Sequence, residues 1–147
     1  NAFALPDGTI VLTDELFVLV GGDADTLTGV LAHELGHVRR RDGLRLVLQA
    51  GAVGVLAGAV LGDFSTLLAG APVLLGQAAY SRDAEREADA EAVQVLRDAG
   101  LSPAVMVGFF EKMAKEQRHG DGLGIAIASH PADAERIRFF REAAVQR

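Results

Sequence analysis

The feature that most constrains this chain is a five-residue run, His33-Glu34-Leu35-Gly36-His37, set inside a segment of helical periodicity. Leu27, Val30, Leu31, Leu35 and Val38 recur at three- and four-residue intervals, the signature of one helix face. Gly21-Gly22 breaks the chain before it, Asp23 or Asp25 can cap it, and Arg39, Arg40 and Arg41 suit the negative end of its dipole. The pattern predicts a helix running to about Arg41. On such a helix, positions i and i+4 lie about 40° apart, one turn up. Both imidazoles then share a face and can share a zinc at about 2.0–2.1 Å each. Glu34 is offset by one position, so its carboxylate can reach a metal-bound water, take its proton and pass it to a leaving amine. Zinc would bring the pKa of that water toward about 7.

A catalytic zinc needs a third protein ligand and an open position. The chain has no cysteine, so the donors must be His, Asp or Glu. Ser81-Arg82-Asp83-Ala84-Glu85-Arg86-Glu87-Ala88-Asp89 offers Glu85 and Asp89 at i, i+4. Glu85 can ligate, and Asp89 can accept the second N–H of a ligating imidazole and fix its tautomer. A solvated helix face of alternating charge would read similarly, and spacing favours Glu85 over Glu87 only slightly.

Around these segments the chain punctuates itself. Pro6-Asp7-Gly8 splits two apolar runs, Phe3–Leu5 and Thr9–Leu12, into a small hairpin. Residues 44–80 are apolar in two stretches, Leu44–Gly62 and Leu67–Tyr80, broken by Asp63-Phe64-Ser65-Thr66; they read as a helical hairpin. Gly54, Gly58 and Gly62 would give its first arm a smooth face for close backbone approach. The second arm is expected to run on into a helix from Ser81 to Ala99, stopped by Gly100. Ser102-Pro103 opens another helix, to about residue 117, that buries Met106, Phe109, Phe110 and Met113. A glycine loop at 120–124, a short strand at Ile125–Ala128, and a last helix opened by Pro131 with Ile137 and Phe140 inward complete the chain. The expected class is α+β, mostly helical, in a single domain of residues 1–147.

Composition excludes other classes. Half the residues are hydrophobic, too many for a disordered chain. The net charge of −6, with no Trp and one Tyr, leaves neither a basic stripe nor a stacking platform, so no nucleic-acid partner is expected. The chain begins at Asn1 without Met or a signal-peptide pattern, and reads as a piece of a longer protein whose upstream part is a partner of this one.

HELGH followed by SRDAEREAD resembles the HtpX-like and BepA-like zinc metallopeptidases, relatives of the CAAX prenyl proteases. These are gluzincins, in which HExxH is followed by ExxxD on a later helix; Glu85–Asp89 matches that second motif. Asn1-Ala2-Phe3-Ala4-Leu5-Pro6 resembles the segment before the motif helix, an edge strand beside bound substrate in the family. Ser129-His130-Pro131 with Arg136-Ile137 resembles the family's SHP…RI segment. The four pieces come in order and cover nearly the whole chain. The resemblance implies a gluzincin-type domain with one Zn2+ per chain on His33, His37 and Glu85. It further implies Glu34 as general base, Asp89 behind a ligand, and a polypeptide substrate along Asn1, Ala2, Phe3 and Ala4. His130 would lie near the zinc, as an oxyanion stabiliser or as a reversible fourth ligand that makes the enzyme latent; the plainer reading is a histidine at a helix start. Arg136 would meet a carboxylate or the substrate, or else be a surface arginine, and His119 is expected to be solvated. The implied activity is hydrolysis of internal peptide bonds in extended, misfolded or membrane-associated proteins. A zinc-binding but non-proteolytic chaperone or binding module is the rival, and a membrane hairpin with vestigial metal chemistry is a second. Glu34 is needed by neither.

The place of residues 44–80 stays open at this level. Leu44–Gly62 would be about 28 Å long as a helix, marginal for a hydrocarbon core of about 30 Å. The second stretch is shorter and contains Pro72 and Gln77. The family includes members whose hairpin spans and members whose hairpin packs on the domain; contact with a membrane surface, or packing, is the favoured expectation. If the hairpin spans, Arg39, Arg40, Arg41, Arg45 and Arg82 at its ends put the zinc site on the cytoplasmic face. Otherwise a bacterial cell-envelope location is equally open.

Overall fold

A computed structural model describes residues 1–61, 80–119, 130 and 134–146. Strands β1 (Ala2–Ala4) and β2 (Ile10–Leu12) pair antiparallel, with Ala2 opposite Leu12 and Ala4 opposite Ile10. The Pro6-Asp7-Gly8 turn closes them: Gly8 N donates to Leu5 O and adopts φ 92°, a conformation natural to glycine. Helix α1 (Asp14–Val20) follows at once. It was not expected, because Phe17 and Val18 face solvent and spoil the apolar period. Leu16 and Val20, one turn apart, bury its inner side, and Gly21 ends it in a left-handed cap.

Helix α2 (Ala24–Arg40) carries HELGH. Asp23 caps it by accepting from Thr26 N, and Arg41 ends it in the left-handed region. Its deepest face is not the aliphatic stripe that periodicity picks out. Among those five positions only Val30 is fully buried; the rest of the buried set is Thr26, Gly29, Ala32, His33, Glu34, Gly36 and His37. The reason is that α2 is wrapped by other elements, and the polar face holding the motif is turned inward with them.

Two glycines of that face set the neighbouring helices. A methyl group on Gly36 would come within 2.9 Å of the Ala88 Cα, so α2 meets α4 (Arg82–Asp98) backbone to backbone. A methyl on Gly29 would strike the Met106 side chain of α5 (Ala104–His119). Helix α4 buries Glu85, Ala88, Asp89, Ala92, Val93 and Leu96, a clean helical stripe. Because Ala88 sits against Gly36, Glu85 and Asp89 on the same stripe are delivered to the histidines. Arg39 pairs with Glu91 and Arg40 with Glu87 across the outer side of the α2–α4 seam. Helix α6 (Ala134–Val145) lays Phe140 on Phe110, ring centroids 5.6 Å apart, and closes the core with Leu96, Met106, Phe109 and Met113.

Helix α3 (Asp42–Leu61) is the first arm of the expected apolar hairpin. It starts one residue after α2 ends and leaves Leu48, Val53, Val55 and Leu56 exposed. Among the described residues a methyl on Gly54 would meet nothing within 4 Å. Among the described residues no helix is long and apolar enough to cross a membrane. The expected continuity into α4 fails at Ser81. Its backbone is extended (ψ 153°), and its hydroxyl accepts from Ala84 N, so α4 begins with its own cap. Several expectations lie outside the described residues: the second arm with Pro72 and Gln77, the glycine loop, the His119 side chain, the strand at Ile125–Ala128, Ser129 and Pro131. The described elements are mostly helical with one small sheet, the α+β class expected.

Candidate metal centre

His33, His37, Glu85 and His130 converge between α2 and α4, all buried, with one donor atom from each inside a 4.8 Å span. His33 Nε2 lies 3.2 Å from His37 Nε2 and 3.5 Å from Glu85 Oε2. His37 Nε2 is 3.4 Å from Glu85 Oε1. A tetrahedron with arms of about 2.0–2.1 Å has edges of roughly 3.3–3.4 Å. The two Nε2 atoms, and the Glu85 oxygen that each of them faces, are therefore separated by about the edge of such a site. Glu87, the other candidate at this spacing, points away to Arg40 with a 60% exposed side chain.

The opposite nitrogen of each ring meets a carboxylate. His33 Nδ1 lies 2.9 Å from Asp89 Oδ1, and His37 Nδ1 lies 3.0 Å from Asp42 Oδ2. A carboxylate at each Nδ1 holds a proton there, so the two Nε2 atoms, 3.2 Å apart in a buried place, are the ring positions left for a metal. Without a cation or a shared proton that juxtaposition is repulsive. The donor set thus fits a divalent ion of zinc's preferences. Sequence reasoning found Asp89 but not Asp42, because nothing in spacing reveals that the Arg41 turn folds Asp42 back beneath His37. It also missed Tyr80, whose ring stacks on His37 at 4.0 Å and 12°.

Arg136 is buried and turned to the carboxylates: Nε and NH2 meet Asp89 at 2.8 and 2.6 Å, and NH1 lies 2.8 Å from Glu85 Oε2. Its guanidinium also sits 4.4 Å over the Phe110 ring, so the core itself positions it. Burial alone would raise the pKa of Glu85, but hydrogen bonds from His130 and His37 and the nearby imidazoles hold it far below the usual range. Asp89 is likewise held low against burial, by His33 and Arg136. Burial pushes His33 down, toward the neutral form a metal requires. It acts the same way on His37, where bonds to Glu85 and Asp42 outweigh it and raise the value. Burial, then the negative charges of Glu34, Asp42 and Glu85, push Tyr80 up to about 12.

Glu34 is 2% exposed, and among the described residues its Oε2 has no hydrogen-bond partner. His130 Nδ1 lies 2.8 Å from Glu85 Oε1 and 3.2 Å from His33 Nε2, inside the donor cluster. Its Nε2 is 3.6 Å from Glu34 and has no hydrogen-bond partner among the described residues. Both groups line an apolar cavity of about 40 Å³ shared with Leu16, Val30, Met106 and Phe110, and with Asn1 and Ala2 at the start of β1. Phe3 and Ala4 continue that strand and are not part of the cavity wall.

The model of peptidase family M48 matches residues 1–144. The beta-barrel assembly-enhancing protease of Escherichia coli K12 is 32% identical over 160 residues, covering 99% of this chain and 32% of its own length. Metalloprotease LoiP of the same organism is 32% identical over 150 residues, covering 97% of this chain and 58% of LoiP. Metalloprotease YcaL, also from that strain, is 29% identical over 149 residues, with 97% and 57% covered. The chain thus spans about a third to just over half the length of these relatives.

Proposed function

This chain belongs to peptidase family M48, whose metalloproteases use zinc, and from that premise we propose that it hydrolyses internal peptide bonds of extended polypeptides at the α2–α4 site. The observation that carries the reading is the pair of Nε2 atoms 3.2 Å apart beside Glu85, together with the buried carboxylate of Glu34, whose Oε2 has no hydrogen-bond partner among the described residues. His33, His37 and Glu85 hold the metal; Asp89 orients His33, and Arg136 orients Asp89 and Glu85. When bound, zinc supplies Lewis acidity to the scissile carbonyl and to water. Glu34 takes the proton of the attacking water and returns it to the leaving amine. A buried carboxylate oxygen left without a hydrogen bond is costly, and a non-proteolytic zinc module has no use for it. The position of His130 favours its role as a reversible fourth ligand in this conformation, to be displaced when substrate arrives.

The substrate main chain lies along β1, pairing with its outer edge. The cavity beside Asn1 and Ala2 takes one side chain next to the cut. At roughly 10–15 Å³ per water, 40 Å³ holds about three waters, the size of a branched aliphatic group. Unfolded proteins offer such segments, and misfolded or membrane-associated proteins of the bacterial envelope are the proposed substrates. The test is digestion of casein by the zinc-loaded chain, after chelation, and after zinc is restored. Loss and recovery of internal cuts, with Val, Leu or Ile enriched beside them, is expected. Intact casein throughout would sink the reading.

A further inference from the structure

The Asp89–His33 pair has a counterpart on the other histidine, built by a different element. Asp42 is 5% exposed, yet it sits between Arg41 and Arg45, both exposed. What turns it inward is Arg41, with φ 56° the one non-glycine residue at positive φ among the described residues. A side chain in that region costs roughly 1 kcal/mol or more. Here it ends α2 in a single residue and starts α3 with Asp42 pointing back at His37, Nδ1 to Oδ2 3.0 Å. The next residue is fixed too: a methyl on Gly43 would lie 3.6 Å from Ala4 O and from the Pro6 Cα, at the end of β1.

We propose that Asp42 is a positioning residue of the metal centre: it accepts the His37 Nδ1–H, fixes the tautomer that leaves Nε2 bare, and locks the ring toward Glu85. The inference rests on the metal-holding reading above but not on peptide hydrolysis. His37 is enclosed by groups with separate tasks. Tyr80 stacks on its face, His33 and Glu85 meet its Nε2, and among the described residues Asp42 is the hydrogen-bond partner at Nδ1. Loss of Asp42 would free the ring to flip or change tautomer without removing a ligand. Because Asp42 is the first residue of α3, the metal site is tied mechanically to the docking of the apolar helix.

The test is zinc affinity by chelator competition, on the whole chain, for Asp42→Ala and Asp42→Asn. Outer-shell partners typically contribute about 10–100-fold to metal affinity. Asp42→Ala should lose affinity in that range. Asp42→Asn keeps an acceptor in place and should recover most of it. The nitrogen NMR spectrum of the zinc-free protein, taken above the pH at which His37 loses its charge, should show the Nδ1–H form of His37 in wild type and Asp42→Asn, and a mixture in Asp42→Ala. A purely structural role would lower thermal stability equally in both variants without changing zinc affinity or tautomer. Unchanged affinity in Asp42→Ala overturns the proposal. Wild-type affinity no better than that of His33→Ala would instead overturn the metal reading on which it stands.

Discussion

Replacing Gly36 with alanine tests how the fold delivers Glu85, the proposed third ligand. The added methyl would stand 2.9 Å from the Ala88 Cα and 3.3 Å from its Cβ and O, whereas ordinary contact begins at 3.4 Å. Two of those three atoms are backbone, so no side-chain rotation relieves the clash. Helix α4 must retreat by about half an ångström, and Glu85, one turn from Ala88, goes with it. Metal sites tolerate deviations of about 0.2 Å, so zinc affinity should fall at least about tenfold, or ~1.4 kcal/mol. Stability without metal should fall less. Overpacking costs roughly 1–3 kcal/mol, and the better helix propensity of alanine returns about 0.5–1. Gly29→Ala is the control. Its methyl meets the Met106 Sδ at 2.5 Å, the flexible part of a side chain on another helix. That variant should lose stability with zinc affinity unchanged. The assays are chelator competition and thermal unfolding of the metal-free chain. Wild-type zinc affinity in Gly36→Ala, or equal losses in both variants, would refute the reasoning.

Other outcomes follow from the same geometry. In the metal-free chain Asp89 and Glu85 have folded pKa values below their unfolded ones. Their contribution is therefore present above about pH 4 and lost as pH falls from there through the folded values. Acid unfolding followed by circular dichroism should start below about pH 4.5 and be shallower in Asp89→Asn; identical acid limbs would contradict this. Leu19→Phe, which adds bulk to the wall of the apolar cavity, should shift cuts in casein away from bulky aliphatic neighbours toward Ala or Gly by about 10-fold or more. An unchanged cut profile by mass spectrometry would remove the cavity from substrate selection.

The motif helix, the buried core of α5 and the Glu85–Asp89 pair were legible because each is a local period: i, i+4 places both members on one face wherever the helix goes. What was hidden depends on contacts between elements. The short α1 hides behind exposed Phe17 and Val18. That Glu85 rather than Glu87 faces the histidines depends on the Gly36–Ala88 contact and on Arg40, neither of which has a period. Asp42 becomes a partner of His37 only through one left-handed residue, and Arg at that place gives no sequence signal, as glycine would. The cap at Ser81 competes with a continuous apolar run, and a single hydroxyl accepting from Ala84 N decides it. The aliphatic stripe misled for a related reason: when a site is interior, the most buried helix face carries its polar residues.

The most direct measurement compares casein cleavage by the wild-type chain and by Glu34→Gln at matched zinc content. The substitution preserves shape and leaves His33, His37 and Glu85 in place, so zinc should bind both equally. Cleavage by wild type, with a loss of at least about 100-fold in the variant, is the predicted result. Equal cleavage by both would contradict the assignment of Glu34 and, with it, of this site as the seat of hydrolysis.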